Sequence, residues 1–215
     1  MKWRPAMRWL PGVVLVVAGM VSLAACAPDE VPSQSSSGYG EESGYGEISG
    51  DPLGPSTQVL QDTTGKPWSF TDVEEGRIRL VYFGYTSCPD VCPLTMADLA
   101  VALERLDADV RARIDVALVS TDPRRDTPEQ LDTWLGAIEP DFTGVRGPIK
   151  SVIDAALSYG INVEAPTVTD DSYEVTHGAQ LIVLKPGGGM VGYFRETVGV
   201  DTYVEELPGL LERHG

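Results

Sequence analysis

Two cysteines lie four positions apart in the middle of the chain, in the segment 84–93 (GYTSCPDVCP). Cys88 and Cys92 follow an apolar run and stand at the predicted start of a helix, whose partial positive charge favours thiolate over thiol. The thiolate is the form that binds soft metal ions and the form that attacks disulfides. Side chains four apart near a helix start face the same way, so both sulfurs can reach one ion. The pair therefore predicts metal binding or thiol–disulfide exchange.

The spacing within this pair helps to separate those two chemistries. Three residues lie between Cys88 and Cys92, whereas the thioredoxin-type redox motif has two. The longer loop separates the sulfurs enough for chelation and still permits a disulfide. A structural disulfide closing so short a loop would constrain the unfolded chain little. We therefore expect a chemical role for the pair rather than a stabilising one.

A metal site needs a further donor, and the chain contains two histidines, His177 and His214. His214 is next to the C-terminus, where we expect an exposed side chain without a role. His177 lies in 173–179 (YEVTHGA), directly before an apolar strand. Two thiolates and one imidazole suit Cu(I) in trigonal geometry and can also hold Cu(II). A structural zinc site normally has a fourth protein ligand.

Three other residues near these positions carry donor atoms. Asp90 lies inside the cysteine loop, where we expect it to cap the backbone or bond locally rather than to bind a metal. Met96 and Met190 are soft donors, but both occupy apolar stripes that are typical of a core.

Apolar patterns predict the elements that must position these side chains. The predicted strands are 57–61 and 68–70, which form a hairpin, 78–83, 114–120, and the pair 180–184 and 190–194 joined by the turn 186–189. The predicted helices follow Pro93, begin at the Thr127 cap, cover 148–159, and cover 200–212, where we expect Pro208 to kink or divide the helix. Strand–helix–strand order implies a parallel core, and the late hairpin adds antiparallel edges. The predicted fold class is α/β, with a central mixed sheet flanked by helices and an N-terminal β-hairpin.

A sheet of this kind, with a cysteine pair after its first central strand, is the thioredoxin-like arrangement. In that fold the loop before the late strand packs beside the cysteines, and redox enzymes of the fold place a cis-proline there. This chain has Thr176, His177 and Gly178 in the loop and no proline from there until Pro186. A histidine in that place favours a metal ligand over a catalyst.

The segment 84–93 resembles the signature of the SCO/SenC family, whose members carry C-x-x-x-C and a distant histidine. Residues 120–128 (STDPRRDTP) are similar to the family's D-P-x-R-D-T-P stretch, and the His177 loop is a third match, so the similarity spans roughly residues 55–213. The resemblance implies that Cys88, Cys92 and His177 are copper ligands. Thr176 stands where the family often has an acid and Gly178 where a small polar residue is common. These departures concern the hydrogen bonding around the histidine.

The resemblance also implies a function, which is that of a copper metallochaperone, or a thiol-reducing factor, for assembly of the binuclear copper centre of cytochrome c oxidase. Its expected partners are the copper-bearing oxidase subunit or another copper chaperone. An extracytoplasmic thiol–disulfide oxidoreductase without stored metal is an alternative, in which Cys88 attacks and Cys92 resolves. A peroxide-reducing or redox-sensing relative of the same fold is a third hypothesis.

The loop 122–128 is predicted to be mainly architectural. Asp122 and Asp126 are expected to cap turns, Thr127 to cap the helix, and Arg124 to pair with one of the acids. A second hypothesis is that Arg124 or Arg125 docks a partner protein.

The N-terminal segment is typical of a lipoprotein signal peptide. Three basic residues within the first eight precede an apolar run at 11–25, which is short for a membrane span. The run ends in Leu-Ala-Ala-Cys26, which resembles a bacterial lipobox. We expect 1–25 to be removed and Cys26 to be lipidated, and an uncleaved anchor helix is the alternative. Either arrangement places the remaining chain at the outer face of the cytoplasmic membrane.

Composition divides the rest of the chain into a tether and one domain. Residues 27–51 are rich in Ser, Gly, Pro and acids, and contain the repeated Gly-Tyr-Gly-Glu at 38–41 and 44–47, so we expect 26–51 to be a solvated tether and 52–215 to be the folded domain. Removal of the three basic residues changes the formal charge from −16 to −19. Such a surface argues against nucleic-acid binding and against electrostatic adhesion to anionic lipid. We expect a monomer that the lipid attaches to the membrane.

Overall fold

An eight-stranded mixed sheet forms the centre of the computed structural model, which describes residues 44–170, 172–196 and 198–215. Its strands are β1 (Tyr45–Glu47), β2 (Val59–Asp62), β3 (Pro67–Ser69), β4 (Ile78–Gly84), β5 (Ile114–Ser120), β6 (Thr143–Arg146), β9 (Leu181–Leu184) and β10 (Met190–Phe194). A separate two-stranded ribbon consists of β7 (Thr167–Val168) and β8 (Tyr173–Glu174). The helices are α1 (Val91–Arg105), α2 (Ala108–Arg111), α3 (Pro128–Gly136), α4 (Ile149–Ser158) and α5 (Val200–His214).

The strand order of the sheet is β1-β10-β9-β4-β5-β6-β2-β3. Strands β4, β5 and β6 are parallel, and every other neighbouring pair is antiparallel. The parallel centre, the antiparallel flanks and the β2–β3 hairpin confirm the predicted mixed α/β sheet. Strand β4 lies in the middle of the sheet, and its carboxyl end leads into α1. The segment with the cysteines therefore leaves the sheet near the middle of the edge formed by the carboxyl ends of the parallel strands.

Alternating residues of the central strands divide the core into two halves. On β4, Ile78, Leu80 and Tyr82 face a cluster that includes α1, α3 and α5. Val81 and Phe83 point to the other face, where they pack with α4. Both faces of the strand are therefore covered, which explains the nearly continuous apolar run of its sequence.

Several elements differ from the predicted ones. Helix α1 begins at Val91, two residues before Pro93, so Cys92 lies inside its first turn. Pro208 was predicted to kink or divide helix α5, and the division is wrong, because α5 runs through Pro208. The buried side chains Leu207, Leu210 and Leu211 lie on both sides of the proline. Their burial offsets the hydrogen bond that a proline removes.

Strand β1 lies inside the segment that was predicted to be a tether, and for Tyr45–Glu47 that prediction is wrong. These residues pair with β10, and the Tyr45 ring is buried at 5.1 Å from the centroid of Phe194. One buried aromatic residue and an open sheet edge are enough to order a segment of otherwise polar composition. The predicted signal peptide and Cys26 lie outside the described residues. Among the residues that are described, no helix has the length and apolar character needed to span a membrane.

Candidate metal centre

The cysteines lie at the corner between a central strand and a helix. Strand β4 ends at Gly84, Cys88 lies in the connection, and Cys92 is fully buried in the first turn of α1. Asp90 is the N-cap of this helix, and its carboxylate accepts a hydrogen bond from the amide of Val91. The predicted capping role of Asp90 is therefore confirmed, and its bond to the helix end fixes the first turn that carries Cys92.

The histidine arrives from the connection between α4 and β9. His177 forms an isolated β-bridge with Val163, and the amide of Gly178 donates to the carbonyl oxygen of Asn162 at 2.6 Å. A second backbone bond joins the amide of Glu164 to the carbonyl oxygen of Thr176 at 3.0 Å. These bonds tie the histidine segment to the chain just after α4 and turn it towards the cysteine corner.

The two thiols and the imidazole converge on one point. One potential ligand atom from each of Cys88, Cys92 and His177 lies within 4.8 Å of the others, and Cys92 Sγ is 3.7 Å from His177 Nε2. First-row metal ions bind thiolate and imidazole at about 2.0–2.3 Å, so three ligands around one ion stand about 3.5–4 Å apart. Both cysteines are free thiols here. The donor set therefore fits a single soft ion after a small contraction.

A hydrogen bond to a neighbouring carbonyl group fixes the tautomer and the orientation of the His177 imidazole. His177 Nδ1 lies 3.0 Å from the carbonyl oxygen of Gly178, to which it donates as an N–H. This tautomer leaves the lone pair of Nε2 directed at Cys92, and backbone bonds of this kind orient metal-binding histidines. Burial lowers the pKa of His177, and its bond to Gly178 offsets only part of that effect. The ring is consequently neutral at pH 7, as a ligand must be.

The thiol of Cys92 does not fit the expectation that the helix start makes both sulfurs thiolates. The pKa of Cys92 is raised to about 12, chiefly by burial and in part by the neighbouring Cys88, while a backbone bond at Tyr85 lowers it. The amide of Cys92 at the helix start instead points to Cys88 Sγ, at 3.5 Å. For Cys92 the desolvation of a buried sulfur outweighs the helix dipole. Any ion that binds here must displace its proton.

Aromatic rings and a glycine pack tightly around these three side chains. The rings of Tyr82 and Tyr85 meet the imidazole of His177 edge to face, at centroid distances of 6.0 and 5.6 Å. A Cβ added to Gly84 would lie 2.7 Å from the Tyr82 ring and 3.2 Å from Cys92 Sγ. Sequence reasoning treated both tyrosines only as parts of the cysteine segment and its strand. The contact of each with His177 spans over ninety positions and leaves no local pattern.

The loop after β5 is hydrogen-bonded to the connection that carries Cys88. Asp126 is fully buried and accepts hydrogen bonds from the hydroxyl groups of Thr86 and Ser120, at 2.7 and 2.6 Å. It thereby joins the connection that carries Cys88 to the end of the neighbouring strand. Asp122 is ion-paired with Arg125, so the prediction that Arg124 is the residue that pairs is wrong. The architectural role predicted for Asp126 agrees with these contacts.

The remaining candidate donors lie elsewhere. Met96 and Met190 are buried in the core, as predicted. His214 is not exposed as expected, because its side chain retains 20% exposure and Nε2 lies 3.6 Å from Glu47 Oε1 on β1. The end of α5 packs against the edge strand that the sequence had assigned to the tether, and this contact covers the ring.

Comparison with known proteins adds the family to this geometry. The model of the SCO1/SenC family matches residues 54–212. A candidate copper-binding protein of Stutzerimonas stutzeri is 31% identical over 153 residues, which cover 71% of this chain and 74% of that protein. The chain spans a smaller share of its mitochondrial relatives, 39% of Arabidopsis thaliana SCO1 homolog 1 and 44% of Saccharomyces cerevisiae SCO2.

Solved structures support the same assignment. Apo Sco1 from Thermus thermophilus is 30% identical with a TM-score of 0.67, and the match covers 76% of this chain and 94% of that one. Bradyrhizobium japonicum ScoI with copper bound is 26% identical with a TM-score of 0.60, covering 76% of this chain and 99% of that one. The thioredoxin-like fold predicted from the sequence is confirmed by these neighbours.

Proposed function

Because this chain belongs to the SCO1/SenC family, we propose that it carries one copper ion on Cys88, Cys92 and His177 and delivers it during assembly of cytochrome c oxidase. The recipient is the copper-bearing oxidase subunit or another copper chaperone. The observation that carries the proposal is the convergence of three soft or borderline donor atoms within 4.8 Å. Copper is the cargo of this reaction, and the chain supplies its temporary ligands.

The exposure of the ligands suits transfer rather than permanent storage. Cys92 is fully buried, whereas Cys88 and His177 are both half-buried. A ligand from a partner can therefore replace Cys88 or His177 first, while Cys92 still holds the ion from the interior. Stepwise exchange of this kind never releases free copper, because each broken bond is replaced before the next one opens.

The N-terminal sequence supports a location for the proposed function. A lipid on Cys26 would hold the domain at the outer face of the cytoplasmic membrane, on the side where an oxidase exposes its extracytoplasmic copper domain. Residues 27–43 would supply the remaining reach to a partner in the same membrane. The acidic mature chain, with its formal charge of −19, leaves the lipid as the means of attachment.

Anaerobic Cu(I) titration of the full chain in detergent, without a histidine tag, tests this proposal. We expect one tightly bound copper per chain, and His177→Ala is expected to weaken the affinity by at least about a hundredfold, because loss of a ligand costs no less than loss of a residue that hydrogen-bonds to one. His214→Ala is the matched control, because it removes the other histidine and should leave the affinity unchanged. Equal affinities for the wild type and His177→Ala would remove the histidine from the ligand set.

A thiol–disulfide oxidoreductase without stored metal is the second candidate, and one observation favours it. Cys88 is the more exposed sulfur and Cys92 is buried with a raised pKa, which matches an attacking and a resolving thiol. In this mechanism the Cys88 thiolate displaces one sulfur of a substrate disulfide, and Cys92 then closes a Cys88–Cys92 disulfide and releases the second substrate thiol. Turnover that ignores copper chelators and persists in His177→Ala would favour this candidate over copper delivery.

A further inference from the structure

The segment that carries His177 has little regular structure of its own to hold it. Between Ser158, where α4 ends, and Leu181, where β9 begins, the only strands in the described part of this connection are the two-residue β7 and β8. The first part of this connection is hydrogen-bonded to its last part. The amide of Gly178 donates to the carbonyl oxygen of Asn162, and the amide of Glu164 donates to that of Thr176. These bonds shape the connection, but its position over the cysteines depends on contacts with the rest of the domain.

One such contact is made by Tyr173 on β8. Its hydroxyl donates a hydrogen bond of 2.5 Å to Asp122 Oδ1, across 51 positions of sequence. Asp122 is fully buried in the loop after β5, and its other carboxylate oxygen is ion-paired with Nε of Arg125. A buried carboxylate requires such donors, because an unpaired charge in the interior is strongly unfavourable.

The guanidinium of Arg125 contacts both Tyr173 and a tyrosine that packs against His177. It lies 4.0 Å from the ring centroid of Tyr173 and 5.7 Å from that of Tyr85. Tyr85 in turn meets the imidazole of His177 edge to face at 5.6 Å. Arg125 thus lies against rings from both sides of the site, one on the histidine connection and one on the cysteine connection. Cation–π contacts of this type strengthen when the cation is partly desolvated.

We infer that Asp122, Arg125 and Tyr173 form a latch that positions His177 over the two cysteines. The inference rests on the proposal that His177 is a copper ligand, and it adds three positioning residues that do not touch the ion. With the latch closed, the imidazole is held where Cys92 Sγ is 3.7 Å away. When the hydroxyl of Tyr173 is removed, the connection loses this hydrogen bond to the loop after β5, and the bonds within the connection open more often. His177 then occupies a wider range of positions in the metal-free protein. Binding the ion must restrict it to one of them, which lowers the copper affinity.

Tyr173→Phe tests the latch, because it removes one hydroxyl and keeps the ring that contacts Arg125. In the full chain in detergent we expect about tenfold weaker Cu(I) affinity, at the low end for partners of metal ligands. In metal-free protein we expect about tenfold faster hydrogen exchange at the amide of Gly178, which donates to Asn162. Ser172→Ala is the matched control, since Ser172 bonds to Thr169 in the same ribbon at 2.9 Å. It should change neither quantity.

A double-mutant cycle with His177→Ala separates the latch from the proposed function. If the latch acts through the histidine, Tyr173→Phe lowers affinity in the wild type and has no effect in the His177→Ala background. An effect of His177→Ala combined with none of Tyr173→Phe overturns the latch and leaves the proposed function standing. A Tyr173→Phe effect of equal size in both backgrounds also overturns it, because the loss would then be general. If His177→Ala itself has no effect, the ligand assignment fails and the latch fails with it.

Discussion

The residues of the candidate metal centre differ in the proton that each must lose before it can bind an ion. His177 is neutral at pH 7, because burial lowers its pKa, and Nε2 is already free of a proton. Cys92 keeps its proton, because burial raises its pKa to about 12. Copper binding must therefore release the proton of Cys92 at every pH below this value.

From this difference we predict a specific pH dependence of copper affinity. Each proton released on binding raises the apparent affinity tenfold per pH unit, so the release from Cys92 sets a minimum slope of about one decade per unit. The sign is an increase with pH throughout the neutral range. Competition against a Cu(I) chelator of known proton affinity, between about pH 6.5 and 8.5, measures this slope.

Two variants assign the released proton to a residue. His177→Ala is expected to lower the affinity and to leave the slope unchanged, since the neutral imidazole releases no proton in this range. Cys92→Ser is expected to lower the slope by one. A slope that survives Cys92→Ser would show that the Cys92 proton has already left in the metal-free protein.

The grouping of Cys88, Cys92 and His177 was predictable at the residue scale, and their protonation was not. The spacing of Cys88 and Cys92 is local, so the sequence displays it directly. The place of His177 followed from a resemblance that carries tertiary information. The pKa of Cys92 depends on burial beneath Gly84, Tyr82 and the rest of the core, and none of these contacts has a sequence period. The local helix dipole alone therefore predicted the wrong sign.

At the scale of elements, long apolar segments were predictable and short paired segments were not. Strands β4 and β5 and helices α1 and α4 have buried stripes that the sequence displays. Strand β6 is four residues long, and it exists because its backbone pairs with β5 on one side and β2 on the other. Neighbouring strands supply this stabilisation, which no pattern within the segment 143–146 can indicate.

Strand β1 gives the element-scale prediction. Tyr45 is 7% exposed and packs on Phe194, and the strand pairs with β10 over three residues. Tyr45→Ala is therefore expected to lower the free energy of unfolding by about 3 kcal/mol, as for other buried aromatic residues. Chemical denaturation of the purified chain measures this change.

The repeated sequence supplies a matched control for that experiment. Tyr39 occupies the same place in the first Ser-Gly-Tyr-Gly-Glu copy as Tyr45 does in the second. The first copy belongs to the predicted tether, so Tyr39→Ala should leave the free energy of unfolding unchanged. If both variants destabilise the fold equally, the two copies contribute alike and the tether ends before residue 39.

At the scale of the whole molecule, the negative charge of the protein limits the ways in which it could attach to a membrane. The described domain has the candidate metal site at one sheet edge, and the sequence after the predicted signal peptide is strongly acidic. An acidic surface is repelled by anionic lipid, so electrostatic adhesion does not hold this protein on a membrane. Stable attachment then requires either lipid chains on Cys26 or an uncleaved apolar segment at 11–25.

These two anchors predict different products, and we expect the lipid. Protein extracted from membranes should lack residues 1–25 and carry the mass of a lipid on Cys26, as intact-mass spectrometry can determine. Because the anchor is apolar, high salt should not release the protein, whereas detergent should.

Cys26→Ser provides the decisive comparison for the anchor. Without the cysteine no lipid can be attached, so this variant should keep residues 1–25 and gain no lipid mass. Tyr39→Ala, a change in the same N-terminal region, should be processed and anchored as the wild type is. A wild-type mass that includes residues 1–25 would contradict the lipid anchor, and the apolar run at 11–25 would then be the membrane attachment.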